Sequence, residues 1–350
     1  MRLRAALLLT LVLGMGSLTA CRGNGQQESV AESVQKSEEN GGKKGADGEK
    51  ASAVDTDYPQ KAIQIIVPAK AGGDTDTAAR LFVSHLEKEL GVPVVVVNVA
   101  GASGTIGTSQ VYDADPDGYT VLFFNPEAFL PKAFGVSDLG VSDFKIAGIG
   151  VFDSTLVFAT RKDSPYQTVD ELIQAAKENP GTIELPAMQP GGFSYANALI
   201  LEKALGVDFN LTDIESNGEK IVQLLAGKID IMGNQYGLIR DYVENGDFIP
   251  LCLMSDERNE LLPEIPTLKE QGYDLGIGID KYFFFAMPKE TDQAVVDKFS
   301  AALEKVVENP EYVKAAEANY TTPLYMNSAD ATAYLLEAES GYKKLAELMD

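Results

Sequence analysis

Gly72, Gly73, Asp74, Thr75 and Asp76 follow a β-branched run, Ile63, Ile65, Ile66 and Val67, that Pro68 ends. The run fits a buried strand, the two glycines allow a tight turn, and the three polar residues are good helix N-cap types. Ala78, Leu81, Phe82, Leu86 and Leu90 then fall on one face of a helix. A strand, a glycine turn and a helix start together present backbone N–H groups that suit a carboxylate or another anionic oxygen. The same pattern also makes a sound strand-to-helix turn with no ligand at all.

Nucleophilic and acid–base chemistry has little to draw on. His85 is the only histidine, and Cys252 the only cysteine besides Cys21. His85 stands beside Leu81 and Phe82 and reads as an edge or core residue of the first helix. Cys252 sits in the apolar run 249–254 and reads as a buried, inert thiol with no intrachain disulfide partner. Neither a zinc site nor a Ser-His-Asp triad can be assembled from this inventory. The glycines after Val94–Val97 imitate a dinucleotide turn, but their spacing is not G-x-G-x-x-G. No catalytic residue, metal ligand or cofactor is expected.

The elements that must carry the first loop come from a chain of 350 residues with 45% hydrophobic content and a formal charge of −23. That length allows two domains, each with its own core. The acidic balance argues against nucleic acid as a partner and against docking on an anionic bilayer by charge. Residues 1–20 read as a secretory signal: Arg2 and Arg4 precede an apolar run too short to span a membrane stably. The run ends in Leu18-Thr19-Ala20-Cys21, similar to the lipobox of bacterial lipoproteins, so Cys21 is the expected lipidation site. Residues 22–57 contain hardly an apolar side chain and read as a flexible tether behind that anchor.

From Tyr58 onward strands and helices alternate, which predicts an α/β fold with largely parallel sheets. A valine-rich strand over 92–97 leads into a second glycine turn, 98–107, and a third strand over 119–124 ends at Asn125-Pro126-Glu127. Further on, Gly191, Gly192, Phe193 and Ser194 open a helix, and the turn Gly233-Asn234-Gln235 follows another short strand. A return strand begins near Phe283, and the tail from Asp292 is expected to be helical with breaks at Pro310 and Pro323. In an open parallel sheet ligands sit beyond the carboxyl ends of strands, so the first three of these loops should converge.

These motifs together resemble the substrate receptors of tripartite tricarboxylate transporters, the TctC or Bug family. The resemblance covers nearly everything from Tyr58 to the C-terminus. It rests on Tyr58-Pro59 and on Pro68, Gly72, Gly73, Asp76 and Arg80 at the family's spacing. Asn98, Gly101, Ala102, Ser103, Gly104 and Gly107 carry it further. Asp117-Gly118-Tyr119-Thr120 and the run from Pro266 to Gly272 complete it. The resemblance implies a two-lobed periplasmic-binding-protein-like fold of type II that closes on a small ligand in the interlobe cleft. The lobes would be residues 58–160 with 281–350, and residues 161–280.

A receptor of this kind implies a small carboxylate ligand, held at one end by backbone groups and ordered water of the first two loops. Its second lobe would read the rest of the ligand. On this sequence the first loop supplies Ala69, Lys70, Gly72, Gly73, Asp74, Thr75 and Asp76, and the second supplies Ala102, Ser103 and Thr105. Asn125, Glu127, Gly192, Phe193, Ser194, Asn234 and Gln235 complete the expected set. The carboxylate would meet the N–H groups of residues 73–75, with Ser103 and Thr105 opposite.

The chain departs from the family pattern at Ala69, Asp74, Glu127, Gly233 and Asn234. Asp74 and Glu127 would repel a second acidic group on the ligand or bind an ammonium, with Lys70 offsetting them. Alternatively, Asp74 caps the helix or faces solvent. The implied protein is a monomer on the outer face of the bacterial cell membrane, lipid-anchored, delivering its ligand to the membrane permease subunits. The alternatives are a ligand-presenting partner of a membrane sensor kinase and an exported enzyme of the same fold.

Overall fold

The computed structural model describes residues 57–214, 216–273 and 281–349. The expected signal sequence, the expected lipidation site Cys21 and the expected tether up to residue 56 lie outside the described residues. No helix among those described is long and apolar enough to cross a membrane.

The first half contains β1 (Ile63–Val67), α1 (Asp74–Leu90), β2 (Val94–Asn98), α2 (Thr105–Tyr112), β3 (Thr120–Phe124), α3 (Leu130–Ala133), β4 (Phe144–Asp153) and β5 (Leu156–Arg161). Next come α4 (Val169–Glu178), β6 (Glu184–Ala187), α5 (Phe193–Leu205), β7 (Asn210–Asp213), α6 (Asn217–Leu225), β8 (Ile231–Gln235), α7 (Tyr236–Glu244) and β9 (Phe248–Leu253). The chain closes with β10 (Lys281–Pro288), α8 (Gln293–Glu308), α9 (Pro310–Ala318), β11 (Thr322–Met326) and α10 (Ser328–Met349).

A six-stranded sheet runs in the order β11-β4-β10-β3-β1-β2, and a three-stranded sheet in the order β8-β5-β9. β6 and β7 form a separate parallel pair. The expectation of largely parallel sheets is corrected here. β1 is parallel to β2 and β3, but β3–β10, β10–β4 and β4–β11 are antiparallel, and so is the whole three-stranded sheet. The apolar runs carried no information about direction, because a strand buried on both faces reads alike either way.

Side chains alternate across the large sheet with the period of two that strands impose. Ile63, Ile65, Val67, Phe123, Phe283 and Phe285 enter one core with Phe82 of α1 and Phe299 of α8. Ile66, Leu122, Phe124, Tyr282 and Phe284 enter the other, under Leu335 and Tyr342 of α10. Val157 and Phe158 of β5 divide in the same way between two smaller cores.

α1 starts at an N-cap glycine, Gly73, and ends at Gly91, which takes the left-handed conformation at φ 72°. The tail is not uniformly helical. Pro310 opens α9, with Asn309 accepting from the N–H of Glu311 at 2.8 Å, whereas Pro323 lies in β11 at the edge of the large sheet. An edge strand tolerates a residue without an N–H, so the break expected at Pro323 takes the form of a short strand between α9 and α10.

The chain leaves the large sheet between β4 and β5, at Ser154 and Thr155, and the described chain resumes in the large sheet at Lys281. Lys281 is paired in register with Asp153, so the end of β4 and the start of β10 lie side by side. The boundary expected at residue 160 falls inside β5, whose strand already belongs to the small sheet.

Candidate functional site

A cavity of ≈ 200 Å³ is lined by residues from both sheets. It is smaller than the roughly 300–1,000 Å³ of sites for drug-sized ligands.

Its first wall is the loop between β1 and α1. Gly72 turns the chain at φ 82°, a conformation that favours glycine, while Gly73 is extended at φ −82° and ψ 177°. Only one of the two glycines is therefore needed for the turn itself. Gly73 has no side chain to cap α1, so no side-chain hydrogen bond takes up the first N–H groups of the helix. Ala69, Lys70, Gly72, Gly73, Asp74 and Thr75 all line the cavity.

Asp76 does not, contrary to expectation. It is buried behind the loop, where Oδ2 accepts from the Gly72 N–H at 2.9 Å and from Arg80 Nε at 3.0 Å, and Oδ1 accepts from Asn98 Nδ2 at 3.0 Å. Burial alone would raise the Asp76 carboxyl. The hydrogen bonds from Arg80, Gly72 and Asn98 and the Arg80 charge outweigh it and hold the group below the usual range. Asn98 also reaches back to the Ala69 carbonyl at 3.1 Å. The spaced Asp, Arg and Asn of the two loops thus form a clamp that shapes the turn.

The second wall is the loop after β2. Gly101, Ala102, Ser103 and Gly104 all have positive φ, including two non-glycine residues at 47° and 51°. Strain of this kind is characteristic of ligand clamps. Gly104 could not carry a side chain, since its Cβ would collide with the Phe124 ring. Gly101, Ser103 and Gly104 line the cavity, but Ala102 and Thr105 do not. The Thr105 hydroxyl instead donates to the Ala102 carbonyl at 2.8 Å, which removes it as a ligand donor from this side.

Asn125 and Glu127, just after β3, form the floor. Asn125 donates to the Thr75 hydroxyl at 3.1 Å and accepts from the Glu127 N–H at 2.9 Å. Glu127 Oε1 accepts from the Phe193 N–H at the start of α5, again at 2.9 Å. Phe193, Ser194 and Asn197 of α5 face the cavity, whereas Gly192 is outside the lining and donates to the Gln189 carbonyl. Gly233 and Gln235 of β8 reach the cavity, and Asn234 between them does not, as alternation along a strand requires. Asn234 is buried with its Nδ2 unpartnered among the described residues.

Two lysines were missed. Lys281 is buried with its ammonium 2.5 Å from the Asp74 carboxylate and 4.7 Å from the centre of the Phe193 ring. Burial alone would lower it, but the charges of Asp74, Glu127 and Asp153 outweigh that and hold it above the usual lysine range. Lys220 of α6 is also buried, and desolvation pushes its ammonium down to about 8 despite the charge of Glu127. Burial likewise pushes the Glu127 carboxyl up, against the attraction of Lys281 and the Phe193 N–H. No sequence signal marked either lysine, because each reads as an ordinary surface charge.

Asp74 is therefore neither an N-cap nor a solvent-facing residue. It is the first residue of α1, paired with Lys281 and accepting from Asn217 Nδ2 at 3.1 Å. Ser216, Asn217 and Gly218 bring the start of α6 to the same cavity. Three helix starts thus meet around it, each with the positive end of its dipole inward. His85 is elsewhere, edge-on to Tyr312 at 5.6 Å, and Cys252 is buried with its thiol pushed up to about 12 by burial. Among the described residues no three His, Cys, Asp or Glu side chains gather as a metal set.

Two sheets flanked by helices around a cavity walled by strand-to-helix loops define a two-lobed binding protein of the periplasmic type. Residues 78–349 match the family described as tripartite tricarboxylate transporter family receptor, and the chain belongs to that family of periplasmic solute-binding proteins. A Cupriavidus necator protein from the gbd 5′ region is 31% identical over 294 residues, 83% of this chain and 88% of its own. The solved structure of periplasmic binding protein BugD is similar at a TM-score of 0.73 and 28% identity, over 83% of this chain and 97% of its own. MatC from Rhodopseudomonas palustris, solved with bound malate, shares the fold at a TM-score of 0.74 and 22% identity, over 83% of this chain and 100% of its own.

Proposed function

We propose that this protein is a lipid-anchored extracytoplasmic receptor. It captures a small carboxylate-bearing metabolite in the cavity and delivers it to the membrane permease subunits of a tripartite tricarboxylate-type transporter. The observation that carries the binding step is the uncapped start of α1. Its first N–H groups border a cavity that two further helix starts also face, an arrangement suited to a carboxylate. Family membership and the malate held by MatC point to the same class of ligand.

On this reading one carboxylate sits against Gly73, Asp74 and Thr75, with Ser103 opposite. The lobes are the parts of the chain that carry the six-stranded and the three-stranded sheet, and they close on the ligand as a trap. Cys21 carries the anchor and residues 22–57 the tether. The lone histidine packs against Tyr312, outside the cavity lining.

Native mass spectrometry of freshly purified protein, followed by calorimetry with the released compound, tests the binding step. One bound carboxylate per chain, recovered unchanged, is the expected result. A compound without a carboxylate, or conversion of the compound on incubation, would refute it. Cys21→Ser should move the protein from the membrane fraction to the soluble one; continued membrane association after a salt wash would remove the anchor.

A further inference from the structure

Glu127 and Lys220 approach the same cavity from different parts of the chain, the turn just after β3 and the first turn of α6. Both are at least nine-tenths buried. Neither is fully used. Glu127 Oε1 holds the Phe193 N–H, but Oε2 has no hydrogen-bond partner among the described residues, and the Lys220 ammonium has neither a hydrogen bond nor an ion pair among them. The two feel one another's charge without forming a direct ion pair. The other buried charges nearby are satisfied: Lys281 by Asp74, and Asp153 by the N–H and hydroxyl of Thr155 at 2.9 and 2.5 Å.

A buried acceptor and a buried donor left open on one small cavity make a demand on whatever fills it. A ligand carboxylate there would meet Lys220 but would be repelled by Glu127, and a ligand ammonium would meet Glu127 but be repelled by Lys220. In a site of low dielectric either repulsion is strong. A hydroxyl or a primary carboxamide satisfies both, donating to Glu127 and accepting from Lys220. Buried polar groups that must be matched discriminate far better than apolar pockets, because the wrong ligand leaves one of them unpaired.

We propose that Glu127 and Lys220 are the specificity-determining pair of this receptor, and that they select a monocarboxylate whose far end is an uncharged donor–acceptor group over a dicarboxylate or an amino acid. This rests on the carboxylate-receptor reading above and goes beyond it in naming the far end. Each residue also excludes one charged competitor, so the pair works as much by repulsion as by attraction.

Four matched four-carbon probes test it by calorimetry: γ-hydroxybutyrate, succinamate, succinate and γ-aminobutyrate. The wild type should bind γ-hydroxybutyrate or succinamate at least tenfold more tightly than either charged analogue. Glu127→Gln keeps an acceptor for the Phe193 N–H, and should shift preference at least tenfold toward succinate. Lys220→Met should shift it at least tenfold toward γ-aminobutyrate, with Lys220→Gln as a second variant should the methionine form fail to fold. A wild type that ranks succinate or γ-aminobutyrate first overturns the proposal while leaving the receptor reading intact. Rankings unchanged in both variants, or no binding of any probe at millimolar concentration, also overturn it. The receptor reading is then judged separately by the compound that native mass spectrometry recovers.

Discussion

The ammonium of Lys281 lies 2.5 Å from the Asp74 carboxylate, tying the first residue of β10 to the first residue of α1. The same carboxylate accepts from Asn217 at the start of α6, so one acidic side chain joins three elements around the cavity. Breaking a buried pair on one side leaves the other charge uncompensated, at a cost of about 3–5 kcal/mol. Lys281→Met should destabilise the protein by that order in urea denaturation. The double variant Asp74→Asn/Lys281→Met should cost clearly less than the sum of its parts, because it strands neither charge. A loss below about 1 kcal/mol for Lys281→Met would mean that the pair is effectively solvated.

The Asp76 clamp predicts acid sensitivity. A carboxyl held below its unfolded value contributes stability that is present above the ordinary carboxylate pKa and lost as pH falls through the folded one. The ordinary value here is 3.8, so the loss belongs to the range below about pH 4. Asp76→Asn should lower stability at neutral pH and flatten its decline below pH 4 relative to wild type. Parallel decline of the two proteins in thermal melts at stepped pH would show that Asp76 carries no such share.

Lys220 predicts the opposite end of the scale. Its folded-state pKa of about 8 lies below the ordinary 10.5, so between these values the unfolded chain binds more protons than the folded one. Wild-type stability should therefore rise relative to Lys220→Met as pH increases from 8 toward 10.5. Below pH 8 both states carry the proton and the difference should level off. A difference that is flat across the alkaline range would place the Lys220 ammonium in contact with bulk water.

The two glycines of the first loop should behave differently. Gly72 has positive φ, and an alanine there costs about 1–2 kcal/mol. Gly73 has an ordinary backbone conformation, and an added Cβ would sit 3.5 Å from the Lys70 carbonyl oxygen, a normal contact. Gly73→Ala should therefore change stability by no more than about 0.5 kcal/mol. Chemical denaturation of the two variants compares them directly, and equal losses would contradict the assigned turn.

The sequence alone determined the local pieces. β1, Gly72 and the start of α1 are written in consecutive residues, as are the second glycine loop and the motifs that mark the family, so spacing was enough to find them. Local reading also placed Gly73, Thr75, Ser103, Asn125 and Glu127 around one site, because loops at the ends of neighbouring parallel strands must converge. Tertiary structure decided what the charges do. Lys220 and Lys281 look like surface lysines in the chain, and only burial against Asp74 and Glu127, far away in sequence, gives them a role. Asp76 and Thr105 belonged to the expected binding set, but the carboxylate of one and the hydroxyl of the other are spent on hydrogen bonds within the loops. Strand direction and the edge position of β11 escaped for the same reason. Pairing partners and desolvation are properties of residues brought together by folding, and a pattern of neighbours along the chain does not record them.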